Sequence, residues 1–137
     1  MKISMYQASV PPFIRVLTNL AVVLDKGAAY AEARKIDPVV LIGARLFPDM
    51  FPFSRQVQIV TDNAKGGASR LAGLEPPKYE DTEASFPELK ARIDKTIGFL
   101  KTFKPEQIDG AEEKTITLKL GKETMSFQGL PYLLRPC

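Results

Sequence analysis

Apolar residues recur at three- and four-residue steps in three segments of the chain, which predicts three amphipathic helices. The predicted helices lie near residues 9–35, 53–73 and 85–103. Serine stands near the start of each segment, at Ser9, Ser54 and Ser85, where a hydroxyl can accept a hydrogen bond from the first turn. The pattern is typical of helices that pack together in a bundle.

Prolines and glycines refine these predictions. Pro11 and Pro12 follow Ser9, so they fit the first turn of a helix, whereas a helix that began before Ser9 would be kinked by them. Gly66 and Gly67 lie inside the second helix, where they predict either a close approach of another helix or a weak point.

The pattern changes towards the C-terminus. Residues 115–120 alternate polar and apolar side chains, as a half-buried strand does, and residues 124–127 can return as a second strand. We therefore expect a short hairpin near residues 114–128 that leans on the helices, because an isolated two-stranded hairpin is marginally stable. Residues 129–135 begin like another helix. The predicted fold is mainly α, an up-down helix bundle with a hairpin before the last helix.

Composition narrows the class of protein. With 137 residues, 45% hydrophobic and 26% charged, residues 1–137 are expected to form a single helical-bundle domain. The net charge is +3 with no basic cluster, so we expect no nucleic-acid partner. No stretch is judged long and apolar enough to cross a bilayer, so no membrane partner is expected. One cysteine and no signal sequence favour a cytoplasmic location.

Two residue types limit the chemistry. The chain contains no histidine, the commonest transition-metal ligand and the usual general base near neutral pH. Its single cysteine is the last residue, Cys137, which we expect to be inert. We therefore predict no cofactor and no specific binding of a divalent transition metal. No catalytic constellation is visible, and whether the chain is an enzyme stays open.

Five side chains are candidates for ligand binding. Gln56 and Asn63 lie one heptad apart at the edge of the apolar seam, where they line a cleft or form an ordinary hydrogen-bonded pair. Tyr6 and Tyr132 could direct their hydroxyls into such a cleft. Asp49 stands in a Pro-Asp turn, where it is a ligand, a catalytic acid or, as we favour, a cap for local backbone N–H groups.

Two further groups have ordinary interpretations that we favour. Phe47, Phe51 and Phe53 alternate with prolines, and they either form the wall of an apolar pocket or plug one end of the bundle, as we expect. Arg55 and Asp62 project away from the apolar seam of the second helix. We expect them on a solvated face.

Three sequence segments resemble the signature of an uncharacterised bacterial family. They are LFPDMFPFSRQVQ at residues 46–58, DNAKG at 62–66 and RLAGLEPP at 70–77. That family is a domain of unknown function within the DinB/YfiT-like superfamily, and the resemblance extends from about residue 5 to residue 135. It implies a four-helix bundle with a small hairpin before the last helix.

The superfamily includes metal-dependent hydrolases and thiol-dependent transferases or isomerases, whose metal is held mainly by histidines. No position of this chain matches those ligands, so the resemblance implies no metal-binding residue here. Relatives continue past the equivalent of residues 132–135 into an aromatic-rich helix, whereas this chain has Pro136-Cys137. We therefore expect the chain to lack most of its fourth helix.

An incomplete bundle would expose an apolar groove, and pairing of two chains would cover it. We expect a homodimer, with Leu20, Val57, Val60 and Leu133 shared between core and interface. The favoured hypothesis is a non-catalytic or vestigial module that binds a small molecule or associates with itself. The alternative is a thiol-dependent transferase or hydrolase whose site a further C-terminal helix completes. A third possibility is a purely structural protein-interaction domain.

Overall fold

The computed structural model describes residues 3–135. In chain order, the elements are α1 (Met5–Arg34), α2 (Pro38–Ile42), α3 (Phe53–Leu71), α4 (Phe86–Leu100), α5 (Pro105–Ile108), β1 (Thr115–Leu120), β2 (Glu123–Gln128) and α6 (Gly129–Leu134). The three long helices and the hairpin agree with the sequence predictions. The short helices α2 and α5 were not predicted.

The first helix begins earlier than predicted. Ser4, and not Ser9, caps α1, because its hydroxyl accepts a hydrogen bond from the N–H of Gln7. Ser9 lies inside the helix, where its hydroxyl donates to the carbonyl of Met5 at 2.7 Å. The Pro11-Pro12 pair is therefore inside α1, rather than in its first turn.

A residue more than a hundred positions away explains this early start. The carboxylate of Asp109 accepts hydrogen bonds from the hydroxyl of Ser4 at 2.7 Å and from the N–H of Tyr6 at 3.0 Å. Met5 is also buried in the core, with 1% of its surface exposed. These tertiary contacts stabilise helical turns ahead of the prolines, which local propensity alone disfavours.

The other two long helices begin close to their predicted starts. At α4, the hydroxyl of Ser85 accepts a hydrogen bond from the N–H of Glu88, as predicted. At α3, the residue at the cap position is Pro52, which has no side-chain hydrogen bond, and Ser54 lies within the helix. The predicted cap at Ser54 is therefore wrong.

The hydrophobic core lies between α1, α3 and α4. Leu17, Val57 and Ile93 are each no more than 1% exposed and belong to one contiguous apolar cluster. A Cβ at Gly67 would lie 3.4 Å from Cε2 of Phe13, which is an ordinary van der Waals contact, so α1 and α3 pack here without requiring a glycine. Val57 is therefore a core residue, and the prediction that it is shared with an interface is wrong for this position.

The hairpin is antiparallel, with β1 paired to β2 from Thr115↔Gln128 to Leu120↔Glu123. Ile116 and Leu118 of β1 are buried, whereas β2 is mostly exposed. Only β1 therefore contributes to the core, and α6 follows directly from β2.

By length and composition alone, α1 could cross a membrane, with a mean hydropathy of 1.3 over an 18-residue window. The expectation that no stretch passes this test is therefore wrong. Core helices of soluble proteins and N-terminal signal sequences also pass it, and 28% of this window is buried. In this fold, Leu17, Leu24 and Ala31 of α1 are buried in the domain.

Candidate functional site

A mostly apolar groove of about 280 Å³ lies between α1, α3 and α6. It is lined by Phe13, Val16, Leu17, Val60, Asn63, Ala64, Gly67, Tyr132, Leu133 and Arg135. The side chains of Asn63, Tyr132 and Arg135 are its polar groups. Asn63 and Tyr132 are two of the five residues that the sequence indicated, and the structure brings them to the same groove.

The sequence of α3 keeps this groove open. Val60, Ala64 and Gly67 follow one another at steps of four and three, so they share one face of the helix. Two of these residues have very small side chains, which leaves space between α3 and the C-terminal helix. Across the groove, α6 supplies Tyr132 and Leu133.

Tyr132 is held in place by two arginines. The Nη1 atom of Arg70 donates to the hydroxyl of Tyr132 at 3.4 Å. The guanidinium of Arg135 lies over the Tyr132 ring at 5.5 Å and over the Phe127 ring at 5.2 Å from each centroid. The two rings are 6.5 Å apart between centroids. These arginines could not be identified as site residues from the sequence, because their contacts depend on where the hairpin places α6.

Gln56 belongs to a different cavity. Its amide donates to the carbonyl of Phe51 at 3.4 Å, and it lines an apolar cavity of about 380 Å³ between α1 and the connector before α3. Gln56 and Asn63 therefore do not form a hydrogen-bonded pair, nor do they line the same cavity.

The aromatic residues of that connector do not all plug the bundle. Phe47 and Phe51 are 68% and 59% exposed, so the favoured interpretation is wrong for both. Phe53 packs against the core, as that interpretation predicts. Phe51 and Phe53 also line the cavity that contains Gln56, which agrees with the alternative of a pocket wall.

The remaining two candidates lie outside the groove. Tyr6 is half-buried and packs against the core near the start of α1. Asp49 is exposed in its turn, and within residues 3–135 its side chain makes no hydrogen bond. The expected capping of backbone N–H groups by Asp49 is therefore absent from the described part of the chain.

A buried ionic cluster lies on the other side of α3. The side chain of Arg92 is 2% exposed, and it forms ion pairs with Asp62 at 2.8 Å, Asp81 at 3.0 Å and Glu83 at 3.1 Å. Its Nε also donates to the hydroxyl of Thr61 at 2.7 Å. Arg92 thereby ties the connector between α3 and α4 to both helices.

Two residues predicted on a solvated face belong to this cluster. Asp62 pairs with Lys65 at 2.9 Å as well as with Arg92, and Arg55 pairs with Asp81 at 2.8 Å. The prediction of a solvated face did not include these ion pairs, although the side chain of Asp62 keeps 36% of its surface exposed. Arg55 is only partly exposed, and its partner lies on the connector.

The charges of the cluster are mutually compensated. Burial opposes the charge of Arg92, but the hydrogen bond with Glu83 and the nearby carboxylates offset it, so the pKa of Arg92 is raised. Burial raises the pKa of Tyr79, against the lowering effects of a hydrogen bond with Thr96 and of the Arg92 charge. Tyr79 also packs against Lys65, whose Nζ lies 4.7 Å from the ring centroid. This arrangement is a structural clasp, which holds the connector against α3 and α4, and its Tyr79, Glu83 and Arg92 also line a surface cavity of about 540 Å³.

Comparison with known proteins establishes the family. The model of a family described as a domain of unknown function, DUF1993, matches residues 5–136. The chain belongs to this family. The DUF1993 chain is also similar to a solved structure, the crystal structure of a DinB family member protein from Shewanella denitrificans at 1.83 Å resolution. The two are 35% identical, the match covers 94% of this chain and 73% of that chain, and the TM-score is 0.82.

These matches confirm the resemblance and the predicted helical bundle with its hairpin. No curated protein matches the chain. Among residues 3–135 of this DUF1993 member, no group of three or more Asp, Glu, His or Cys residues is arranged to hold a metal ion. The expectation that the chain binds no transition metal stays a prediction.

Proposed function

We propose that this DUF1993 member is a non-catalytic module that binds a small, mostly apolar molecule in the groove between α1, α3 and α6. The observation that carries the proposal is the groove itself, whose lining is mostly apolar and includes three polar side chains. Small-molecule sites in proteins commonly have this composition. The groove's polar residues, Asn63, Tyr132 and Arg135, include neither a thiol nor an imidazole. Similarity to a DinB-family crystal structure supports a soluble protein, and we propose a cytoplasmic location from the single cysteine.

Binding is tested with N-phenyl-1-naphthylamine, a neutral probe whose fluorescence rises in an apolar site. We expect saturable binding to the wild-type chain. Val16, at the edge of the groove and 57% exposed, is replaced by tryptophan to occupy the space. Val16→Trp is expected to weaken binding about tenfold, which corresponds to about 1.4 kcal/mol.

Val22→Trp is the matched control, because Val22 is on the same helix, is 50% exposed and does not line the groove. It should leave the affinity for the probe unchanged. Saturable binding that both variants weaken equally would place the probe elsewhere. Absence of saturable binding to the wild-type chain would contradict the proposed function.

A second candidate function is self-association. Val16 is exposed beside the groove, and Leu20, Val60 and Leu133 are only partly buried around it. Pairing of two copies about a two-fold axis would remove this apolar face from water. We propose a homodimer that competes with the small molecule for the same face.

Sedimentation velocity at low micromolar concentration tests the dimer. We expect the wild-type chain to sediment as a dimer and Val16→Glu as a monomer, because a carboxylate would be desolvated in the interface. Val39→Glu on α2 is the control, because Val39 is similarly exposed and does not line the groove. A cooperatively folded wild-type monomer would rule the homodimer out. It would leave the groove free for the small molecule.

A further inference from the structure

We propose that the molecule bound in the groove is an amphipathic carboxylate, with its acidic group held by Arg70 and Arg135 beside Tyr132. This inference rests on the proposed function and names the chemical class of its ligand. It follows from two guanidinium groups that meet at Tyr132, a residue that lines the groove.

Two guanidinium groups contact the same phenol. Arg70 donates to the hydroxyl of Tyr132, whereas Arg135 lies over its ring. Arg70 comes from α3, while Arg135 follows the last residue of α6. Their meeting at Tyr132 therefore depends on the packing of α6 against the bundle. Arg135 and Tyr132 line the groove, and Arg70 reaches it through the hydroxyl of Tyr132.

Neither charge is balanced by the rest of the described chain. Among residues 3–135, no carboxylate forms an ion pair with Arg70 or with Arg135. Arg92 is the internal comparison, since that buried guanidinium has three carboxylate partners. Arg70 is partly buried, so it has lost some hydration without gaining an anion in return. A ligand carboxylate would supply the missing charge.

Gly66, one helical turn before Arg70, leaves space for the Arg70 guanidinium. A Cβ atom at Gly66 would lie 2.5 Å from Nη1 of Arg70. The absence of a side chain at Gly66 therefore lets the guanidinium fold back along α3, where it reaches the hydroxyl of Tyr132. The planar fork of an arginine also matches a carboxylate, with which it can form two parallel hydrogen bonds.

The uncharged residues that line the groove determine the chemistry of the part of the ligand that carries no carboxylate. Val60, Ala64 and Leu133 offer no charge, so the remainder of the ligand must be apolar. A volume of about 280 Å³ suits a medium-length alkyl chain or a small ring system rather than a large cofactor. Decanoate is a suitable probe, and decanol is its neutral counterpart with the same chain length.

Isothermal titration calorimetry compares the two probes on the same protein. We expect decanoate to bind the wild-type chain about tenfold more tightly than decanol. Arg70→Met and Arg135→Met should each remove most of that difference, so that decanoate and decanol bind each variant with similar affinity. Arg34→Met is the control for net charge, because Arg34 stacks on Tyr30 at the far end of α1.

The outcomes separate this inference from the proposed function. Equal affinities for decanoate and decanol would overturn the carboxylate ligand and leave the apolar groove as a binding site. Tighter decanoate binding that neither arginine variant changes would also overturn it. Binding of neither probe would overturn both proposals. If Arg70→Met fails to fold, Arg135→Met decides the result, because Arg135 is exposed and follows the last helix.

Discussion

Replacement of Arg92 by methionine is expected to lower the free energy of unfolding by about 2–4 kcal/mol. Methionine keeps much of the aliphatic volume but leaves the carboxylates of Asp62, Asp81 and Glu83 without their common partner. Loss of one member of a buried ion pair is costly because the remaining charge stays desolvated. The expected loss is smaller than for a fully buried ion pair, because the side chains of Asp62 and Asp81 are 36% and 42% exposed and water partly solvates them.

Urea denaturation measures this effect, and Arg55→Met is its matched control. Arg55 pairs with Asp81 at 2.8 Å, but both side chains are about two-fifths exposed. Its removal should change the unfolding free energy by less than about 1 kcal/mol, as is usual for exposed ion pairs. Equal effects of the two substitutions would show that the burial of Arg92 adds nothing to the stability of the clasp.

The main architecture could be predicted because each long helix buries a local stripe of apolar residues. Leu89, Ile93 and Leu100 of α4 are at helical spacing, and all three are fully buried. The hairpin could be predicted for a similar reason, since alternation in β1 matches the burial of Ile116 and Leu118. In both cases the information needed lies within about fifteen consecutive residues.

The predictions that failed involve contacts between distant parts of the chain. The start of α1 depends on Asp109, which no local pattern around Ser9 can indicate. The clasp had a weak signal, because Arg92 lies three residues after Leu89 and four before Thr96, on the buried side of α4. The acidic residues that precede α4 then supply its partners.

In the candidate site, too, the residues indicated by local sequence were predicted, and those that depend on distant contacts were not. Asn63 could be named from its spacing and Tyr132 only from its residue type, and both line the groove. Arg70 and Arg135 could not be named, because they contact Tyr132 only after the hairpin has directed α6 back across the bundle. The position of α6 therefore determines whether Tyr132 and Arg135 reach the groove.

One glycine controls that position. Gly129 is the first residue of α6 and is buried, and an added Cβ would collide with the carbonyl oxygen of Ala111. The obstacle is backbone rather than a flexible side chain. The next residue, Leu130, donates its N–H to the carbonyl of Glu112 at 2.9 Å, which fixes the two segments against each other. The contact therefore has no simple way to relax.

Gly129→Ala is expected to lower the free energy of unfolding by about 2 kcal/mol or more, because overpacking of a close backbone contact forces the segments apart. Since displacement of α6 would remove Tyr132 and Leu133 from the groove, binding of N-phenyl-1-naphthylamine should also weaken, by about tenfold.

Gly98→Ala is the control, because a Cβ at this exposed position of α4 would meet nothing within 4 Å. Alanine there should instead stabilise the helix by about 0.5–1 kcal/mol, with no change in probe affinity. Urea denaturation and fluorescence titration of both variants measure the two effects. A Gly129→Ala chain with wild-type stability and affinity would show that α6 does not depend on this contact for its position.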